Sequence, residues 1–104
     1  MLRQRLTLVQ AMDERLADLD ALVMPTVPIV APRFEEVETR EKYSSCNAAL
    51  MRTTIIANFF DLCAISLPLS QDGGLPVGLM LVGRNGEDRR LLRIAAGIEK
   101  LLVA

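Results

Sequence analysis

The sequence predicts an α/β fold with the order helix, strand, long loop, helix, strand, strand, helix. Two short apolar runs, Ala64–Leu69 and Val77–Val82, contain β-branched residues and are bounded by turn residues, as buried strands are. Amphipathic patterns of helical period occur near both ends of the chain. A proline-rich segment separates the first helix and strand from the remainder, which predicts a long irregular connection.

The first helix is expected over Leu2–Leu19. Its apolar residues recur at steps of three and four, which places them on one face. They are Leu2, Leu6, Val9, Met12, Leu16 and Leu19. The run Ala21–Met24 then predicts a strand that stops at Pro25, because proline cannot donate a ladder hydrogen bond.

Pro25–Arg33 contains three prolines and is expected to cross in an extended, polyproline-like conformation. The next segment, Phe34–Lys42, is polar with charges of both signs. Two interpretations stay open for it, an exposed loop and a short solvated helix.

A second helix is expected from a cap at Ser44 or Ser45 to Asn58 or Phe60. Its apolar residues occupy every side of the helical wheel, which predicts burial almost all round. Arg52 is the one charged residue between Cys46 and Phe60. Its guanidinium is expected to reach the surface or to pair with a carboxylate such as Asp61. The alternative is an anchor for a substrate carboxylate or an interface.

The two central runs are joined by the connector Ser70–Pro76, whose shortness predicts antiparallel neighbours at the centre of a sheet. After a turn at Gly83–Gly86, Asn85 is a candidate N-cap for the last helix. Acidic residues Glu87 and Asp88 stand in its first turn, where they favour the positive end of the helix dipole. Its buried stripe is expected to contain Leu91, Ile94, Ala95, Ile98, Leu101 and Leu102.

Composition limits the classes of function. A length of 104 residues indicates a single domain over residues 1–104, and a net charge of −1 provides no footprint for nucleic acid or for an anionic membrane. The apolar runs are too short to span a bilayer and no signal peptide is evident, so a cytoplasmic protein is expected. Apolar residues make up 51% of the chain and the mean hydropathy is +0.29. So apolar a small domain is expected to expose a hydrophobic patch that a partner covers.

The sequence contains no convincing catalytic constellation. Histidine is absent, which removes Ser–His and Cys–His arrangements. Cys46 and Cys63 lack metal-ligand spacing and are expected to be buried free thiols, so neither a metal nor a cofactor is predicted. Lys42 precedes Ser44 and Ser45, but it lies in a charged, solvated stretch where nothing would activate it as a base, and helix capping explains these serines better.

Four stretches in order resemble the amidase signature family, whose members hydrolyse or transfer carboxamides. They are LDALVMPTVPIVAP, NFFDLCAISLP, GGLPVGLMLVG and EDRRLLRIAAGIEKLL. The chain departs from the family pattern at Asp61 and Cys63, where the family often has glycine and proline, and at Met80, where glutamine is common.

The resemblance implies an α/β/α fold around a large mixed sheet, of which this chain forms the C-terminal part. It also implies that two serines and a lysine perform the chemistry and lie N-terminal to the region represented here. No residue of this chain matches them, so no catalytic residue is assigned. The Pro25–Pro32 and Asn58–Leu67 regions are expected to approach a substrate pocket.

The leading hypothesis is therefore a C-terminal amidase fragment that is inactive alone. Its partner is a catalytic N-terminal amidase portion or, in a homo-oligomer, a further copy of the chain. The alternative is a self-associating interaction module without catalytic activity. A third hypothesis, a hydrolase that uses Ser44, Ser45 or Cys46 with Lys42, is disfavoured.

Overall fold

The computed structural model describes residues 2–69 and 74–102. The elements follow the expected order with two differences: a short 3₁₀ helix is added in the long connection, and the expected second helix is divided into two. They are α1 (Leu2–Leu16), β1 (Leu22–Pro25), the 3₁₀ helix (Phe34–Val37), α2 (Arg40–Met51), α3 (Thr54–Phe59), β2 (Cys63–Leu69), β3 (Val77–Gly83) and α4 (Asp88–Leu102). The α/β prediction is confirmed.

The strands form one antiparallel sheet in the order β1-β3-β2. The predicted antiparallel pairing of the two apolar runs is confirmed, with Ile65 opposite Leu81 and Leu67 opposite Leu79. β1 pairs with the other side of β3 and places Met24 opposite Met80. Among the strands described, β3 is central and β2 lies at an edge. The connector Ser70–Pro76 lies partly outside the described residues, because residues 70–73 are not described.

One face of the sheet is covered by α4. Leu91 and Ala95 of the helix form a buried cluster with Leu67 of β2 and Leu81 of β3. The spacing of apolar residues along α4 explains this packing, because residues three and four positions apart lie on one face of a helix and can contact the sheet at the same time. The predicted burial of Leu101, one residue of the expected stripe, is wrong. Leu101 is 77% exposed, since it lies on the flank of the helix and not over the sheet.

The opposite face carries a smaller cluster. Ala57 of α3 packs on Met80 and Val82 of β3, and Leu22, Met24 and Leu62 surround them. A six-residue helix covers only part of this face. The first helix adds little burial, because only Leu16 of α1 is buried and Leu2 is 70% exposed. The helix also ends at Leu16, before the expected Leu19.

The prediction of one buried helix from Ser44 or Ser45 to Phe60 is wrong in three respects. The helix begins at Arg40, because the Thr39 hydroxyl accepts a hydrogen bond from the Lys42 backbone N–H at 3.1 Å. It is broken between α2 and α3, where the Thr53 hydroxyl donates to the Thr26 carbonyl. No residue of α2 is buried, because the element that packs most extensively on it is the four-residue 3₁₀ helix, which is too short to cover it.

The cap at Thr39 provides a direct test of this boundary. Thr39→Ala is expected to cost about 1 kcal/mol of α2 stability, because it leaves the Lys42 N–H without its acceptor. Hydrogen exchange of the α2 amides measures the loss. Ser44→Ala is the matched control and leaves exchange near the wild-type rate. Equal acceleration in both variants would show that Thr39 is not the cap.

The molecule is a thin slab of 44 × 43 × 16 Å. Its radius of gyration is 16.0 Å, whereas compact domains of this length have about 13 Å. Its accessible surface is 7975 Å², whereas a monomeric protein of 11.5 kDa exposes about 5800 Å². The chain therefore exposes about 2200 Å² more than a typical monomer of its mass. Among residues 2–69 and 74–102, no helix has the length and apolar character of a membrane span.

Candidate functional site

The two segments expected to approach a substrate pocket meet in the structure. Thr26 belongs to the Pro25–Pro32 region and Ser66 to β2, and their hydroxyl oxygens lie 2.5 Å apart. The Thr53 hydroxyl donates to the Thr26 carbonyl. We call Thr26, Thr53 and Ser66 the hydroxyl cluster. It joins the end of β1, the start of α3 and the middle of β2.

The sheet register positions this cluster. The Thr26 N–H donates to the Gly78 carbonyl at 3.0 Å, which extends the β1–β3 ladder by one residue beyond Pro25. Ser66 lies opposite Met80, and Pro68 opposite Gly78. Alternation along the strands therefore turns Ser66 and Gly78 to the same face of the sheet.

Gly78 leaves the space that the cluster occupies. A Cβ atom at Gly78 would lie 2.6 Å from the Ser66 Oγ and 2.7 Å from the Thr26 Oγ1. Both distances are well below van der Waals contact. Gly78 is therefore required by close approach of two side chains, a recognised role of glycine inside a strand.

The chemistry available to the cluster is limited to hydrogen bonding. Its hydroxyls bond to one another or to backbone, and a hydroxyl needs an adjacent base to become a nucleophile. Ser44, Ser45 and Lys42 lie elsewhere, exposed on α2. The arrangement can fix backbone geometry and present polar groups, which fits the wall of a binding site.

An apolar cleft of about 450 Å³ lies beside the cluster. It runs between β1, the proline-rich segment and the ends of β2 and β3. Its lining includes Val23, Met24, Val27, Ile29, Val77 and Leu79. Apolar clefts with a few placed polar groups are the usual form of small-molecule sites. This cleft together with the hydroxyl cluster is the candidate site.

A second cleft of about 730 Å³ separates α1 from the turn between α3 and β2. Arg5 binds Asp61 at 2.8 Å on one side of it, and Arg84 binds both carboxylate oxygens of Asp13 at 3.0 and 2.8 Å. Of the two expected positions for the Arg52 guanidinium, the structure has the first: Arg52 is exposed at the surface, and Asp61 pairs with Arg5 instead. Arg5 reaches Asp61 because α1 passes over the turn between α3 and β2. The two residues are 56 positions apart in the chain, so the pair could not be predicted from the sequence.

Asn85 is likewise not the N-cap of α4. Its side-chain amide donates to the Asp61 carbonyl at 2.7 Å, and the first α4 bonds run to Glu87. Asp61 adopts a φ of +53°, the left-handed region that favours glycine. The bond from Asn85 and the ion pair with Arg5 help to hold this turn, at a position where the resembled family often has glycine.

Both cysteines are free thiols, as predicted, but each is only half-buried. The Cys63 thiol donates to the Arg84 carbonyl at 3.2 Å. Burial raises the pKa of Cys63 above its ordinary value, and the nearby charge of Asp88 raises it further. A thiol with a raised pKa is a poor nucleophile at neutral pH.

The Asp13–Arg84 pair gives a pH-dependent contribution to stability. The hydrogen bond from Arg84 lowers the pKa of Asp13 below its ordinary value of 3.8. The contribution is fully present above that ordinary value and is lost as pH falls through the lowered folded-state pKa. The stability gap between wild type and Asp13→Asn is therefore expected to close in acid. Urea unfolding across pH measures it, and a constant gap would contradict the assignment.

Sequence reasoning identified the two segments but not the residues that join them. Thr26, Thr53, Ser66 and Gly78 were not singled out. The sequence does hold a partial signal for Thr26 and Ser66. Thr26 lies in PTVP and Ser66 in AISLP, and both stretches belong to the segments that resemble the amidase signature family. The contact itself depends on the sheet register, which brings together residues 40 positions apart.

Comparison with known proteins places these features in a wider group. The family model Amidase matches residues 1–92. The chain is 43% identical over 86 residues to a 2-amino-5-chloromuconic acid deaminase of Comamonas testosteroni. The alignment covers 82% of this chain and 19% of that protein. It is 38% identical over 86 residues to a fatty acid amide hydrolase of Medicago truncatula. That alignment covers 80% of this chain and 14% of the hydrolase.

A solved structure shows the same fold. It is the crystal structure of one component of the glutamyl-tRNA(Gln) amidotransferase from Thermotoga maritima, which superimposes with a TM-score of 0.76 at 34% identity. The match covers 92% of this chain and 20% of that one. The chain thus spans about a fifth or less of the length of these relatives.

Proposed function

The chain belongs to the amidase signature family, and on that premise we propose that its 104 residues form the non-catalytic C-terminal part of an enzyme that hydrolyses carboxamide C–N bonds. The observation that carries the proposal is the hydroxyl cluster. It joins two family-like segments into one wall by hydrogen bonds and places no activated nucleophile there. The 104 residues alone are then inactive, and their role is structural.

The chemistry assigned to the complete enzyme follows from the family resemblance. A lysine acts through one serine to take the proton of a second serine, whose oxygen attacks the amide carbonyl. Backbone N–H groups stabilise the oxyanion, the C–N bond breaks as the leaving amine takes up that proton, and water then hydrolyses the acyl-serine ester to release the acid and restore the serine. In this scheme Thr26 and Ser66 hold the proline-rich segment against β2, beside the apolar cleft where the substrate's apolar part would lie.

The second candidate function is the self-associating module without catalysis. The observation that favours it is the exposed surface, about 2200 Å² above that of a typical monomer. Catalytic inactivity alone does not separate the two candidates. The two candidates are separated by replacing the corresponding segment of a related enzyme with this chain. Only a chain that serves as amidase scaffold would preserve the activity of that enzyme.

A segment replacement in the Comamonas testosteroni deaminase tests the scaffold role. The aligned stretch, extended to the end of α4, is replaced by residues 2–102 of this chain. We expect the hybrid to retain deaminase activity within about tenfold, whereas deletion of the stretch abolishes it. The matched variants are Gly97→Ala, where an added Cβ meets nothing within 4 Å, and Gly78→Ala, which crowds the hydroxyl cluster.

The two glycine variants separate folding from site geometry. A hybrid with Gly97→Ala is expected to remain active, and one with Gly78→Ala to lose activity. A deletion variant that stays fully active would contradict the proposal. So would a hybrid that has the mass and circular dichroism of the parent deaminase but no activity.

A further inference from the structure

The turn between α3 and β2 contains a residue in an unfavourable backbone conformation. Asp61 has a φ of +53°, and it is the one non-glycine residue with positive φ in the part of the chain that the structure describes. The turn is a Schellman helix end, because the Leu62 N–H donates to the Ala57 carbonyl at 2.9 Å. The second bond of this motif runs from the Asp61 N–H to the Asn58 carbonyl at 3.4 Å. Glycine is usual at the position of Asp61, because a Cβ atom disfavours the left-handed region.

Two other elements of the chain contact Asp61. From the turn before α4, the Asn85 side-chain amide donates to the Asp61 carbonyl at 2.7 Å. From α1, the Arg5 guanidinium binds the Asp61 carboxylate at 2.8 Å and lies 5.7 Å from the centre of the Phe59 ring. The side chains of Arg5 and Asp61 are 34% and 49% exposed, so their ion pair adds little free energy by itself. Asn85 is therefore the stronger support of the turn and Arg5 the weaker.

The same turn connects two members of the hydroxyl cluster. Thr53 precedes α3 and Ser66 lies on β2, and both contact Thr26. The chain leaves the cluster through α3, reverses direction at Asp61 and returns to the cluster along β2. A different backbone conformation at Asp61 would tilt α3 relative to β2 and move Thr53 away from Ser66.

We propose that Asp61, Asn85 and Arg5 are positioning residues for the candidate site. By holding the left-handed turn they fix α3 against β2, and so they keep the hydroxyl cluster in place. The two contacts are required because Asp61 carries a Cβ atom, whereas a glycine would form the turn without them. The consequence of this positioning for catalysis rests on the proposed function.

NMR spectroscopy of the 104-residue chain tests the positioning without an assay of activity. Asn85 follows the end of β3, whereas Thr26 bonds to Gly78 near its start, so the two residues lie at opposite ends of the strand. Asn85→Ala is nevertheless expected to displace the backbone amide signals of Thr26 and Ser66, and Arg5→Met to displace them less. A loss of stability that left the native geometry unchanged would not move these signals.

Substitution of Asp61 shows whether the backbone conformation is the cause. Asp61→Ala and Asp61→Gly remove the same carboxylate, but only glycine adopts the left-handed conformation freely. Asp61→Ala is expected to displace the two amide signals and Asp61→Gly to leave them in place. In the double variant Asn85→Ala/Asp61→Gly, the signals are expected to return toward their wild-type positions.

Asn47→Ala on α2 and Arg3→Met on α1 are matched controls, because they change exposed residues of the same types. Both are expected to leave the two amide signals in place, and circular dichroism checks that every variant is folded. Unchanged signals in Asn85→Ala overturn the proposal. Equal displacement in Asp61→Ala and Asp61→Gly also overturns it, because the carboxylate and not the backbone would then matter.

The hybrid deaminase described above tests the consequence for catalysis. There, Asn85→Ala is expected to raise KM about fivefold, the effect of one lost hydrogen bond of ordinary strength, and to change kcat by less than about twofold. Addition of Asp61→Gly is expected to restore KM. An unmodified hybrid without activity contradicts the proposed function, and the NMR result then decides the inference. An active hybrid whose KM does not respond to Asn85→Ala contradicts the inference and leaves the proposed function intact.

Discussion

Leu81→Ala is expected to lower the free energy of unfolding by about 2–5 kcal/mol, which is the usual cost of truncating a buried leucine. Leu81 is 0% exposed and lies on the central strand. It packs against Leu67, Leu91 and Ala95, which belong to the neighbouring strand and to the helix that covers the sheet. No neighbouring residue in a three-stranded sheet can readily move into the space, so most of the cavity remains.

Urea unfolding at a fixed protein concentration measures this loss. Concentration is held constant because self-association would change the apparent stability. Leu101→Ala is the matched control, since it removes the same atoms from a 77% exposed side chain. It is expected to change the free energy by less than about 0.5 kcal/mol. Similar losses in the two variants would mean that α4 is not packed on the sheet as described.

Gly78→Ala is expected to cost about 1–3 kcal/mol, although alanine is the smallest possible replacement. The added Cβ would lie 2.6 Å from the Ser66 Oγ and 2.7 Å from the Thr26 Oγ1. To relieve the contacts, both hydroxyls must rotate or the strands must separate. Either movement breaks the Thr26–Ser66 hydrogen bond that holds the proline-rich segment to β2.

Two further variants identify the cause of that loss. Gly97→Ala adds the same atom where nothing lies within 4 Å, and it is expected to gain about 0.5–1 kcal/mol because alanine favours the helix. In the double variant Gly78→Ala/Ser66→Ala, removal of the hydroxyl makes room, so part of the loss should return. Strictly additive losses would show that the crowding lies elsewhere.

Local pattern was sufficient for most of the fold. The apolar runs predicted β2, β3 and their antiparallel pairing, and helical spacing predicted α4. Burial of the second helix was not predictable, because apolar composition indicates that a surface is to be covered but not by which chain. Thr39 replaced Ser44 and Ser45 as the cap because several hydroxyl residues compete for one helix start.

The candidate site was predictable only as two segments. Their contact through Thr26 and Ser66 needs the register of three strands, which no short window of sequence contains. The same limit applies to Asp61. Its partners Arg5 and Asn85 are brought to it by packing of α1 and by the turn before α4, whereas sequence proximity favoured Arg52.

The measurement that tests the central claim most directly is release of ammonia from a panel of carboxamides by the purified 104-residue chain. A chain that contributes only scaffold is expected to release ammonia at the rate of buffer alone, in wild type and in Lys42→Met equally. Saturable turnover by the wild type that disappears in Lys42→Met would contradict the account, because the chain would then contain its own catalytic lysine.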